Sequence, residues 1–243
     1  MSKKVINQNT NYSIKLLNSI ESNFIFNEKP IDRFKSEKDA FSNSLVKENV
    51  DKIYELTELK KQISLIENCN LKSNSKNIVL GGGNINSPIM IIGEAPGDDE
   101  DKTEGVFLGE VGKLLKKMLI AINIKKENIY STYAVNFRPP EDRKPNTVEI
   151  KRYAVFLQKH ISIIKPKIII LMGSTAMESL TGLNGKISIE RGKWKEVIIK
   201  NMNYDVIITF SPSYLLRAPE NKKYSWEDLK KIKQKIEDLR LSV

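Results

Sequence analysis

The sequence predicts an α/β protein: a three-layer α/β/α sandwich with a central, mostly parallel sheet, plus an N-terminal helical extension. Three observations predict it. From Ile78 onward, short apolar runs alternate with amphipathic helical stretches, the pattern of parallel strands covered on both faces. Several of these runs end in glycine, where a strand hands over to a loop. Upstream of residue 47 the chain shows helical periodicity and polar stretches but no such run. The chain therefore divides into residues 1–46, an extension with a linker, and residues 47–243, the α/β/α domain.

Residues 1–8 read as disordered. Tyr12 to Phe26 carries Ile14, Leu16, Leu17, Ile20 and Phe24 at helical spacing, and residues 27–46, charged and rich in Ser and Asn, read as a linker. Ile53, Leu56, Leu59, Ile63 and Ile66 predict a helix from Val50 to Ile66, and Asn68 to Asn77 a polar loop. Ile78-Val-Leu and Pro88-Ile-Met-Ile-Ile are the first apolar runs. Val111, Leu114, Leu115, Met118 and Leu119 share one face of a helix from Glu110 to Ile122, and Ile129 to Asn136 predicts a strand. Asn146 with Glu149 three positions later is a capping box, opening a helix that reaches Ile164. Lys167 to Met172 predicts a strand ended by Gly173, and Ser174 opens a short helix. Asp205 to Phe210 is a β-branched strand, and Ser225 caps a C-terminal helix containing Leu229, Ile232 and Ile236.

The chain carries 40 basic and 30 acidic residues, net +10. Residues 1–70 hold 11 basic and 10 acidic side chains, so +9 falls on the presumed globular part. That balance favours a polyanionic partner, because neutralising phosphates releases counterions. Cys69 is the sole cysteine, which excludes an internal disulfide and a thiolate-ligated zinc or iron–sulfur site built from this chain alone. His160, the sole histidine, excludes mechanisms needing a histidine pair; near the end of a helix, it reads as a surface or half-buried structural residue. No run approaches the ~20 apolar residues of a membrane span, and Met1-Ser-Lys-Lys lacks the apolar core of a signal peptide. The expectation is a cytoplasmic monomer without membrane contact.

Parallel sheets bind ligands at the carboxyl ends of their strands. The segments leaving those ends are Gly93-Glu-Ala-Pro-Gly, Asn136-Phe-Arg-Pro-Pro, Gly173-Ser-Thr and Ser211-Pro-Ser-Tyr. The first turns tightly and leaves backbone N–H groups free for a ligand, but it lacks the Gly-Lys-Ser/Thr ending of a phosphate loop. Asp98, Asp99, Glu100 and Asp101 behind it fit a solvated acidic turn, a divalent-metal site, or a carboxylate that positions a water. Phe107, between Gly105 and Gly109, fits either core packing or stacking on a base.

Together these motifs resemble the iron–sulfur (family-4) uracil-DNA glycosylases. The order is Gly93-Glu-Ala-Pro-Gly-x-x-Glu-Asp, Gly-x-Phe-x-Gly-x-x-Gly-x-Leu-Leu, Arg-Pro-Pro-x-x-Arg-x-Pro, Arg191-Gly-Lys-Trp and Pro-Ser-Tyr-Leu-Leu-Arg, over roughly residues 66–240. The resemblance implies a three-layer fold that hydrolyses the N-glycosidic bond of uracil flipped out of DNA, in base-excision repair. It implies Glu100 as the catalytic acidic residue and Phe107 as the ring that stacks on uracil. Glu94 and Ala95 match the turn that approaches the base. Ser213, Tyr214 and Arg217, after Pro212, match the loop that enters DNA and holds phosphate, and Arg138 and Arg143 match basic residues of the Pro-Pro loop.

Three positions depart from the family pattern. Tyr133 stands where Tyr-Ile-Thr-Asn places the uracil-reading asparagine; a carboxamide donates and accepts, while a phenol offers one hydroxyl on a bulky ring. Asn136, three residues on, falls on the opposite face of a regular strand. Ser211 stands in place of the histidine that stabilises charge on the leaving uracil, and is shorter and neutral. Of the cluster cysteines only Cys69 remains, with Ile66, Phe137 and Tyr153 at the other positions, so no iron–sulfur cluster and no other metal or cofactor is expected. The resemblance thus implies a uracil-DNA glycosylase of reduced activity, with Ser211 or Tyr133 supplying a weaker hydrogen bond. The alternative is a catalytically inactive DNA-binding or damage-sensing module of the same fold. A metal-dependent phosphodiesterase is disfavoured, since no second acidic cluster lies at the other strand ends.

Overall fold

A computed structural model describes residues 37–243, with side chains from Glu48 onward. The chain divides into Met1–Ser44 and Leu45–Val243, and the fold described is that of the second unit. The expected disorder of residues 1–8 and the helix from Tyr12 to Phe26 lie outside the described residues.

Helix α1 spans Glu37–Ser64 and α2 Asn70–Asn74. Both correct the sequence reading: residues 37–46 are helical rather than linker, and the polar Asn68–Asn77 stretch contains a helical turn. Strand β1 is Gly82–Gly83, β2 Ile89–Gly93, β3 Tyr130–Tyr133 and β4 Ile168–Met172. Strand β5, Trp194–Ile199, is an edge strand the sequence reading missed, and β6 is Met202–Thr209. Between them run α3 (Asp98–Thr103), α4 (Gly109–Ile120), α5 (Thr147–Ile164), α6 (Ser174–Thr181) and α7 (Ile187–Glu190). Helices α8 (Pro212–Arg217) and α9 (Lys222–Asp238) follow β6.

The sheet order is β1-β3-β2-β4-β6-β5. The four central strands are parallel; β1 and β5 pair antiparallel at the edges. The all-apolar strands divide their side chains by the two-residue alternation of the pleat. Met90 and Ile92, with Ile169, Leu171, Val206 and Ile208, join Leu59 and Ile63 of α1, Tyr153 and Leu157 of α5 and Met177 of α6. Ile89 and Ile91, with Ile168, Ile170 and Ile207, join Leu115 and Leu119 of α4, Leu215 of α8 and Leu229 and Ile232 of α9. Helices therefore cover both faces, which makes the three layers. Among the described residues no helix is long and apolar enough to cross a membrane.

The capping box of α5 is present: Asn146 Oδ1 accepts from Glu149 N at 2.9 Å and Glu149 Oε2 from Asn146 N at 2.8 Å. Ser225 is not a cap. It lies in the first turns of α9, buried, with its hydroxyl unpartnered among the described residues, because the helix already starts at Lys222.

His160 is fully buried rather than at the surface. Its Nε2 lies 2.9 Å from the Tyr130 hydroxyl, and burial pushes the imidazole down to about 3. The folded state therefore binds fewer protons than the unfolded chain, so its stability contribution is complete above the unfolded value near 6.5 and is lost as pH falls toward 3. Urea titrations at pH 7 and pH 5 are expected to show a loss of up to about 2 kcal/mol from this residue. The same comparison in His160→Gln should show a correspondingly smaller pH dependence on a less stable fold.

Candidate active site

The carboxyl ends of β2, β3, β4 and β6 release their segments at one edge of the sheet, and these wall a cleft of about 600 Å³. Glu94 and Ala95 line it from the turn after β2, together with Glu100, Phe107 and Tyr133. Arg143 lines it from the Pro-Pro segment, and Ser211, Ser213, Tyr214 and Arg217 from the segment after β6. Arg138 is the one proposed site residue that does not line the cleft.

Glu100 is buried and tied to three segments. Its Oε2 accepts from Gly97 N at 3.1 Å, closing the first turn of α3. Its Oε1 accepts from Leu108 N at 2.7 Å and from the Tyr133 hydroxyl at 3.4 Å. Asp101, one residue on, faces away from this chemistry. Burial opposes its ionisation, but the Ser75 hydroxyl and the Asn77 and Lys76 amides hold its carboxyl below the usual range. Among the described residues no group of three His, Cys, Asp or Glu is placed to hold a metal ion.

Phe107 is 3% exposed and yet lines the cleft. Its backbone is left-handed, with φ of 49°, a conformation costing a non-glycine residue about 1–2 kcal/mol. Its two backbone polar groups are both held: the Tyr133 hydroxyl accepts from its N–H at 2.8 Å, and Lys126 Nζ donates to its carbonyl at 2.9 Å. The Phe107 and Tyr133 rings lie 5.0 Å apart at 37°. Burial, and then the nearby Glu100 carboxylate, push the Tyr133 phenol well above its ordinary value, so it stays protonated. Gly112 makes this loop possible, because a Cβ there would meet the Phe107 carbonyl oxygen at 1.8 Å.

Glu94 Oε1 sits 3.4 Å from Thr175 N at the start of α6. Ser211 is the N-cap of α8: its Oγ accepts from Tyr214 N at 3.3 Å and lies 3.1 Å from Ser213 Oγ. Tyr214 packs on Phe210 with ring centroids 4.9 Å apart, and its hydroxyl accepts from Asn221 Nδ2 at 2.9 Å. Arg138 is held by Asp98 at 2.5 Å and by both oxygens of Asp142 at 2.7 and 3.0 Å. Arg143 forms a bidentate pair with Glu149 at 2.7 and 2.9 Å. Arg217 is exposed and makes no ion pair among the described residues.

Ser174 of the strand-end segment Gly173-Ser-Thr lines the cleft as well, and sequence reasoning missed Lys144 and Phe210, which also line it. Lys144 Nζ bonds Ser174 Oγ, joining the Pro-Pro segment to α6. Lys144 fills an unspecified position of the Arg-x-Pro motif, so no pattern marked it. Phe210 ends the β-branched strand from Asp205, and none of the motifs includes it. Asn136 does not reach the cleft; its Nδ2 donates to Val79 O at 3.0 Å.

The four positions that the resemblance matches to cluster cysteines come into one core. Cys69, Ile66, Phe137 and Tyr153 are all buried there. Cys69 Sγ lies 3.4 Å from the Tyr153 hydroxyl, and the Tyr153 and Phe137 rings meet edge to face at 6.3 Å. One thiol among packed rings does not fit an iron–sulfur cluster, which needs four ligands and an open volume between them.

A family model for the uracil DNA glycosylase superfamily matches residues 80–233. The chain is 36% identical over 170 residues to the type-4 uracil-DNA glycosylase of Thermotoga maritima, covering 69% of this chain and 88% of that protein. It is 32% identical over 181 residues to the type-4 uracil-DNA glycosylase of Archaeoglobus fulgidus, covering 73% and 91%. A DNA polymerase of Bacillus phage SP01 aligns over 150 residues at 32% identity, 61% of this chain but 16% of the polymerase.

Gly93 lies directly against the two rings: a Cβ there would meet Phe107 Cζ and Tyr133 Cδ1 at 2.8 Å. Gly93→Ala is therefore expected to overpack the site, lowering stability by about 1–3 kcal/mol in urea unfolding. An unchanged midpoint would show that the rings are free to yield.

Proposed function

The chain belongs to the uracil DNA glycosylase superfamily, and we propose that it is a uracil-DNA glycosylase, a hydrolase of the N-glycosidic bond, acting on DNA as a monomer with a slowed chemical step. The observation that carries the reading is the meeting of Phe107, Glu94, Glu100 and Ser211 in one cleft at the strand ends, with a volume suited to a small ligand. The base has to leave the helical stack to be reached, which costs a few kcal/mol. Phe107 offers a fixed ring for the extruded uracil to stack on. The turn from Gly93 to Gly97 brings main-chain groups to its edge.

Hydrolysis adds water at C1′ of the deoxyribose while the bond to uracil N1 breaks and its electron pair leaves with the base. Glu100 Oε2 accepts one protein hydrogen bond, from Gly97, and so retains an acceptor position for a water. Negative charge develops on the leaving uracil, and Ser211, backed by Ser213, supplies a neutral hydroxyl donor. Losing one strong donor of this kind typically removes about 3–4 kcal/mol of transition-state stabilisation, which is the reason for the slowed step. A catalytically inactive DNA-binding module is the second reading, and it is favoured by the commitment of the Tyr133 hydroxyl to the protein itself. The phosphates are held by Arg217 and Lys144 at the cleft, with Arg143 joining them once DNA competes with Glu149.

A gel assay on uracil-containing single- and double-stranded oligonucleotides separates the two. The expected outcome is abasic-site formation that is strongly reduced in Glu100→Ala and in Phe107→Ala. Binding without any abasic product leaves the inactive module. We also propose that the protein holds no iron–sulfur cluster, because the core around Cys69 is filled by Phe137 and Tyr153. Anaerobically purified protein is expected to lack iron and the visible absorbance of a cluster; a stoichiometric cluster would overturn this.

A further inference from the structure

We infer that Tyr133 is a positioning residue, whose hydroxyl locks the stacking ring of Phe107 to Glu100 and does not read the base. A phenol has one hydrogen to donate, and Tyr133 donates it to Glu100 Oε1 at 3.4 Å. The Tyr133 hydroxyl oxygen in turn accepts from Phe107 N at 2.8 Å. One atom thus joins the residue that stacks to the carboxylate that serves the water, while the ring packs 5.0 Å from that of Phe107. Three further observations agree. Phe107 sits in a left-handed conformation that needs holding. Its carbonyl is fixed separately by Lys126 at 2.9 Å, so the Tyr133 bond is what fixes its N–H side. Gly93 packs against both rings, leaving neither ring room to shift toward β2. To give its hydrogen to a pyrimidine edge, Tyr133 would have to release Glu100.

The role in catalysis rests on the glycosylase reading, but the clamp itself can be tested apart from it. Tyr133→Phe removes the hydroxyl and keeps the ring. The probes are a duplex carrying an uncleavable 2′-fluoroarabino uridine and one carrying 2,4-difluorobenzene, which has the shape of a pyrimidine and almost no hydrogen-bonding edge. Tyr133→Phe is expected to weaken both by the same factor, about three- to tenfold, and to accelerate hydrogen exchange at the Phe107 amide. In a Phe107→Ala background the same substitution should add no further loss, whereas a general structural weakening would add in full. Weakening confined to the uridine probe would show that the hydroxyl reads the base, and unchanged binding of both probes would also overturn the clamp. A wild-type protein with no preference for the uridine probe over a thymine duplex would refute the glycosylase reading instead. The clamp would then stand or fall on whether exchange at Phe107 accelerates.

Discussion

The cleft depends on strands that are buried on both faces. β2 and β4 carry five buried residues each, and their side chains divide between two apolar cores. A strand held from both sides cannot slip by one residue without sending its whole apolar set to the wrong core. Parallel neighbours also put all their carboxyl ends at one edge of the sheet. The four segments that wall the cleft are therefore fixed at their roots by packing, and short polar contacts only have to set their tips. Glu100 is the chief of these contacts, since its two oxygens bind Gly97, Leu108 and Tyr133.

This division of labour explains what the sequence made legible. The apolar runs around Ile89 to Ile92 and Ile168 to Met172 announce themselves, because strands buried on both faces need continuous hydrophobicity. The capping box of Asn146 and Glu149 is equally local, and it reads directly. Strand β5 was missed because it pairs on one side only, at the sheet edge, and its Trp-Lys-Glu-Val-Ile-Ile run carries neither continuous hydrophobicity nor a clean alternation. His160 was misplaced because the polar partner that lets it be buried, Tyr130, lies 30 positions away in the chain. Ser225 looked like a cap because serine is a favoured N-cap and Leu229, Ile232 and Ile236 follow at helical spacing, yet the helix begins three residues earlier. In the site, the strand-end rule and the motif order brought Glu94, Phe107 and Ser211 together. What no local pattern carried was the use of each polar group: that Arg138 is held by Asp98 and Asp142, or that the Tyr133 hydroxyl turns inward.

The three departures from the family pattern share a physical direction. In each, a polar or metal-binding group gives way to a residue that satisfies itself within the protein. Tyr133 bonds Phe107 and Glu100, Ser211 caps α8, and Tyr153 turns its hydroxyl to the remaining Cys69. Buried polar groups without partners are expensive, and groups waiting for a ligand bear that cost until the ligand arrives.

The charges follow the same logic. The net +10 does not translate into ten cations available to phosphate. Arg138 is gripped by Asp142 of its own segment and by Asp98 at the start of α3, and Arg143 by Glu149 in the first turn of α5, at distances of 2.5–3.0 Å. For exposed pairs of this kind the attraction is modest, typically below about 1 kcal/mol, so a phosphate can displace them. The two arginines nonetheless differ. Arg138 holds two carboxylates and lies outside the cleft, so pulling it away would expose both Asp98 and Asp142 beside an incoming polyanion. Arg143 has one carboxylate partner, lines the cleft, and can exchange Glu149 for a phosphate while Glu149 keeps its bonds at the cap of α5. Arg217 needs no exchange at all. Of the three arginines, the two that line the cleft are thus the two whose charge is least committed to the protein itself.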